Sequence, residues 1–220
     1  MTTHDARRTC ALSHLAGNGA MLVRERAIAR TVQTALERLY RIDDGTPVDP
    51  FVSAAGEHER EALLVRENED GLEIALRIPK LEDTSENLDA LCQIIEGVSH
   101  FVMIAERARL QRATSHLELE MQAEVDKYVV LAAATASREG ALDVAQSMRL
   151  RERLYDAVSF VHSEASEIGM RYRTANRAAA RFVRRIEREY FESRRIDEMR
   201  ENLRRFFAGN QEEKLRLAAA

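Results

Sequence analysis

Residues 84–135 constrain this chain more than any other stretch, because they read as two long apolar helices joined by a connection too short to separate them. From Leu88 to Leu110, the residues Leu88, Leu91, Cys92, Ile94, Ile95, Val98, Phe101, Val102 and Ala105 recur at helical spacing over one broad face. An apolar arc that wide marks a mostly buried helix. Asp83, Thr84 and Ser85, with Glu86 three residues after Asp83, signal its start as a capping box. The linker Gln111-Arg112-Ala113-Thr114 is followed by Ser115 and Glu118, a second capping pattern. Leu117, Met121, Val125, Tyr128 and Ala132 then form the stripe of a second helix. So short a linker makes the two arms antiparallel neighbours.

The polar sides of the same arms carry the candidate chemistry. Glu96 and His100 stand one turn apart on the first arm, and His116, Glu120, Glu124 and Lys127 form a strip on the second. With the turn centred near Arg112, His100 comes level with Glu124. Glu96, His100, Glu120 and Glu124 then converge in one groove if the two strips face each other. Carboxylate and imidazole donors held by facing helices can bind zinc, manganese or iron, so a divalent metal is the cofactor this pattern suggests. The spacing departs from the Glu-x-x-His of bundle di-metal sites, since Glu96 and His100 are four residues apart. The competing expectation is a solvated strip with ion pairs from Lys127 to Glu96 and Glu124.

Upstream the period changes. Residues 61–79 read as a β-hairpin, Ala62-Leu63-Leu64-Val65-Arg66 and Leu72 to Ile78, turning at Asn68-Glu69-Asp70-Gly71. Leu72, Ile74, Leu76 and Ile78 share one face, and a lone hairpin needs cover for such a face. Leu22 to Tyr40 is an amphipathic helix ending before Asp43-Asp44-Gly45-Thr46-Pro47, and 42–60 reads as a loop with at most a short helical turn. Downstream, a third helix spans roughly Leu142 to Ser159 with Val144, Met148, Tyr155 and Val158 on one side. His162 sits at a junction, where Ser163 could cap a long helix whose apolar face holds Ala175, Ala179, Phe182, Val183 and Ile186. A short helix near 195–207 follows. The fold class is a predominantly α-helical α+β fold: a central antiparallel helical hairpin with a small two-stranded β-hairpin packed on it. A flexible segment at 1–20, one helix-rich domain at 21–207 and a charged tail at 208–220 complete the organisation.

Composition narrows the functional classes. With 45% hydrophobic and 32% charged residues, 3 prolines and 9 glycines, this is a folded helical chain. The absence of an uninterrupted apolar run of about 20 residues argues against a membrane span and for the cytoplasm. Cys10 and Cys92 fit neither a structural disulfide nor a metal motif. The net charge of −4 conceals a split: residues 1–135 hold 15 Lys/Arg against 23 Asp/Glu, whereas 136–220 hold 18 against 14. Such halves can complement each other within the chain or across a dimer, or the C-terminal half can meet an anion; a protein partner or self-association is the expectation adopted. Arg173, Arg177, Arg181, Arg184 and Arg188 line one side of the long helix and could hold anions, but the interrupting glutamates and a pI near 5.9 disfavour nucleic acid. No nucleophile motif involves His162. The leading expectation is therefore a cytoplasmic non-enzymatic interaction or regulatory protein, with self-association as one form of that interaction. A metal-dependent enzyme built on the carboxylate and histidine strip stands second, and an arginine-helix nucleic-acid binder third.

Overall fold

The computed structural model describes residues 11–14, 22–57, 59–68, 71–82 and 87–219. Its centre is the helical hairpin, α2 (Leu88–Arg109) and α3 (His116–Glu139). Ser115 accepts a hydrogen bond from the Glu118 N–H at 3.2 Å, so the second arm starts where the capping pattern puts it. Gly140 ends it at φ +81°, a left-handed conformation that costs glycine no Cβ contact. Lys127 meets Glu96 while Glu120 meets His100, which is the register of an antiparallel pair. The Asp83–Glu86 capping cluster lies outside the described residues, as do the turn residues Glu69 and Asp70.

α1 (Val23–Tyr40) lies across this pair, burying Ala29, Val32, Leu36 and Tyr40. The sheet is built around β4 (Gly71–Ile78). On one edge β3 (Ala62–Asn68) runs antiparallel to it, from Ala62 opposite Arg77 to Asn68 opposite Gly71. On the other edge β1 (Ala11–His14) and β2 (Val52–Ala54) lie end to end, both parallel to β4. The hairpin is therefore present, with two short strands that sequence periodicity does not reveal. Three or four residues are too few to display an alternation. Ile74, Leu76 and Ile78 are fully buried against α2, as the alternation of β4 requires.

One residue marks the close approach of sheet to helix. At Gly97 of α2 a Cβ would lie 2.6 Å from the Leu76 Cδ1 atom, so a larger residue there would have to displace the Leu76 side chain. Gln93, one turn earlier, accepts the Glu61 N–H at 3.0 Å and pins the start of β3 to α2.

Beyond Gly140 the fit to expectation is partial. α4 (Val144–Arg151) starts in a capping box between Asp143 and Gln146, continues as one π-helical turn through Asp156, and stops short of Ser159. Of its expected stripe Tyr155 is buried, whereas Val144, Met148 and Val158 are exposed rather than core-facing. The inner side of α4 is instead polar: Arg151 pairs with Glu187 at 2.7 Å, and Ser147 bonds both Tyr128 and Glu187. α5 (Glu167–Ile186) is capped by Ser166, whose side chain accepts from the Gly169 N–H, rather than by Ser163. It buries the expected Ala175, Ala179, Phe182, Val183 and Ile186, and its π-helical extension reaches Phe191. α6 (Ile196–Ala208) matches the predicted short helix. The stretch expected as a charged tail contains α7 (Gln211–Ala219), which returns to the core and buries Lys214 and Ala218.

α2 is long and apolar enough to cross a membrane by composition, with a mean hydropathy of 1.4 over its best window, yet 61% of that window is buried inside the fold. It is a core helix of this domain. Gly97→Leu is expected to force β4 away from α2 and destabilise the protein by about 1–3 kcal/mol, an overpacking cost. A urea midpoint unchanged from wild type would contradict that account of the helix–sheet contact.

Candidate metal centre

Glu96, His100 and Glu120 meet between α2 and α3, each offering one ligand atom within 4.8 Å of the others. Helical spacing puts Glu96 and His100 one turn apart on α2, and the antiparallel register brings Glu120 of α3 opposite them. All three are less than a tenth exposed, at 8%, 8% and 7%. The strip is therefore a buried cluster, not a solvated one. His100 Nε2 lies 3.8 Å from a Glu120 oxygen and has no hydrogen-bond partner. That nitrogen is therefore left to accept or to ligate.

Glu124 is the predicted ligand that the structure places elsewhere. Its carboxylate accepts from Lys127 Nζ at 2.7 Å, and the same ammonium donates to Glu96 at 3.1 Å. Both ion pairs anticipated as the alternative to a metal site are formed, but in the interior. The reason for the displaced ligand is the length of the lysine, which reaches across the interface and takes Glu124 as its intrahelical partner three residues away.

Two participants carry no sequence signal. Glu61 sits just ahead of β3 and hydrogen-bonds Glu96 through its side chain. It reads as one more loop glutamate until the sheet docks. Arg171 of α5 approaches Glu120 at 3.7 Å, its Nε without a hydrogen bond. It lies outside the arginine stripe. Of that stripe, Arg177, Arg181, Arg184 and Arg188 are exposed, whereas Arg173 donates to the carbonyls of His162 and Gly169 and covers the Phe160 ring. His162 is exposed and stacks on Tyr172 at 5.8 Å. Cys92 is a free thiol, pushed up to about 11 by burial and therefore not a thiolate.

The electrostatics follow from having four carboxylates, Glu61, Glu96, Glu120 and Glu124, against the cations Lys127 and Arg171. Burial disfavours every charge here. For Glu96 the nearby Lys127 charge outweighs it and holds the carboxyl below its ordinary range. For Glu120, burial and the Glu96 charge push the carboxyl up to about 8. Burial and Glu96 likewise push Glu61 up to about 9, and burial raises Glu124. Burial also lowers His100, which keeps its imidazole neutral with a lone pair. Fully ionised, the cluster would hold two more negative than positive charges, an imbalance that protons or a dication can relieve.

Comparison of the chain with known protein families, with curated proteins and with solved structures finds no match to any of them.

The raised carboxyls set a pH dependence for chelator-treated protein. A group protonated in the folded state up to about 8, but only to about 4.5 when unfolded, gives stability that is full below the lower value and lost as pH rises through the upper one. Thermal stability is expected to fall between pH 5 and 9, at roughly 2–4 °C for each kcal/mol lost. Glu120→Gln should flatten that slope, because its amide does not ionise. An identical slope in wild type and Glu120→Gln would remove Glu120 as its source.

Proposed function

We propose that this protein binds one divalent cation between α2 and α3, with Glu96, His100 and Glu120 as ligands, and that the ion serves a regulatory or structural role. The observation that carries this reading is the unpartnered, buried His100 Nε2 beside Glu120, in a buried trio with Glu96 whose ligand atoms lie within 4.8 Å of one another. An unsatisfied buried nitrogen costs about 1–3 kcal/mol unless something binds it. One nitrogen and two oxygen donors suit zinc, manganese or ferrous iron. Glu61, joined to Glu96, supplies a further oxygen donor at the edge of the cluster.

The low exposure of all three ligands favours a closed site over a catalytic one. Catalytic metals keep a coordination position open to substrate, whereas structural metals are enclosed by protein. An ion here would tie α2 to α3, in the manner of a cross-link that exists only in the folded state. Binding would displace the protons held by Glu120 and Glu61, so uptake should release acid and strengthen with pH.

Metal analysis of protein purified without chelator tests this directly. One equivalent of metal is expected in wild type, lost in His100→Ala and in Glu120→Ala but kept in Glu124→Ala, whose carboxylate belongs to Lys127. At a hundredfold excess over Kd the ion should add about 2.7 kcal/mol of stability. Wild type that stays metal-free when challenged with zinc, manganese and iron would end the proposal.

Self-association is a second reading, supported by the edge of the sheet. Among the described residues β3 has a strand on one side only, and its Leu64 and Val65 are 38% and 43% exposed. Exposed apolar edges pair with other strands unless blocked. Sedimentation equilibrium is expected to find a concentration-dependent dimer that Val65→Lys abolishes. A species that remains monomeric across the accessible concentration range would remove this reading.

A further inference from the structure

On the opposite side of α3 from Glu120, Glu124 and Lys127, by helical periodicity, a groove of about 560 Å³ opens between α1, α3, α5 and α6. Leu36, Val129, Ala132, Val183, Ile186 and Leu203 contribute to its apolar walls. Tyr128 also lines it, but its hydroxyl is engaged with Ser147 at 2.6 Å and Glu187 at 3.2 Å. The charged residues of the lining are all arginines, Arg38, Arg200 and Arg204, and no aspartate or glutamate is among the lining residues.

The three arginines come from the two helices that frame one side. Arg204 of α6 donates from Nε to the Leu39 carbonyl of α1 at 2.6 Å, which places it beside Arg38 in the chain of α1. Arg204 and Arg200 each have a carboxylate on their own helix, Glu201 and Asp197. Arg38 is exposed and forms no ion pair among the described residues.

We infer that this groove binds an amphipathic carboxylate of the fatty-acid class, its chain among the apolar walls and its head on Arg38 with Arg204 beside it. The volume falls within the range of small-molecule sites, and such sites combine apolar walls with few placed polar groups. A guanidinium recognises a carboxylate through paired N–H donors, so Arg38, the rim arginine that no acid engages among the described residues, selects an anionic head. A neutral chain would gain the walls but not the rim. The inference is independent of the metal centre, which lies on the far side of α3.

Titration calorimetry with dodecanoate, 1-dodecanol and butyrate, all below micelle formation, separates the contributions of chain and head. Dodecanoate is expected to bind one to one, with dodecanol and butyrate each markedly weaker. Arg38→Gln, an exposed substitution that leaves the walls intact, should weaken dodecanoate about tenfold, the loss of one charged hydrogen bond, and leave dodecanol unchanged. Ala133→Trp, which fills the groove from its exposed wall, should abolish binding while the circular dichroism stays that of wild type. Equal affinity for dodecanoate and dodecanol, or no binding of either, would overturn the inference. So would a wild-type dimer that Ala133→Trp converts to monomer, since the groove would then be the seat of a second copy of the chain.

Discussion

Lys127 holds the interior of this protein together electrostatically. Its ammonium is nine-tenths buried and bridges Glu96 of α2 and Glu124 of α3. Removing an ammonium from water costs several kcal/mol, repaid only when its partners are close and ionised. Those two carboxylates keep Lys127 protonated in spite of burial, and its charge in turn holds Glu96 ionised. The remaining carboxyls, Glu61 and Glu120, then face an anion with too little positive charge nearby. The pairing that secures the helical hairpin is thus also the source of the strain that a metal would relieve.

α3 is unusual for a central helix in burying polar residues around much of its circumference. Each neighbour engages a different part of it. Glu120, Glu124 and Lys127 face α2 and, through Arg171, α5. Asp126 accepts from Tyr40 of α1 and from Ser99 of α2, the latter at 2.6 Å. Gln122 joins that group and accepts from Lys214 of α7 at 2.6 Å. Tyr128 reaches Ser147 of α4 and Glu187 at the end of α5. Apolar packing tolerates small slips between helices, whereas hydrogen-bonded groups in a low-dielectric interior do not. Four separate polar contacts therefore fix the placement of five helices around α3.

The same logic explains why α7 folds back. Its buried face includes a lysine, pushed down to about 7 by burial, that donates to Gln122 and to the Phe206 carbonyl and lies over the Phe206 ring. Arg107 of α2 donates to the Phe207, Ala208 and Gly209 carbonyls, supplying the partners that the end of α6 lacks. The closed carboxylate cluster and the open apolar groove then occupy opposite sides of α3. Burial marks one side and exposed arginine the other, which is why the ligands proposed for them differ, a small cation and an amphipathic anion.

The sequence by itself determined the elements whose signal is local. The Ser115 cap, the apolar faces of α2 and α5 and the shared face of Ile74, Leu76 and Ile78 on β4 all rest on spacing within one segment, and all are found. The pairing of Glu96 with His100 was legible for the same reason, since one helical turn needs no tertiary information. Tertiary structure decided everything that depended on a second segment. It placed Glu120 opposite His100 and Lys127 against Glu96, brought Glu61 from the sheet and Arg171 from α5, and turned Ser147 and Arg151 of α4 toward Glu187. A charged side chain on a helix looks the same in sequence whether water or another helix faces it. Only packing removes the water, and removal of the water is what shifts Glu61, Glu120 and His100 from their ordinary protonation.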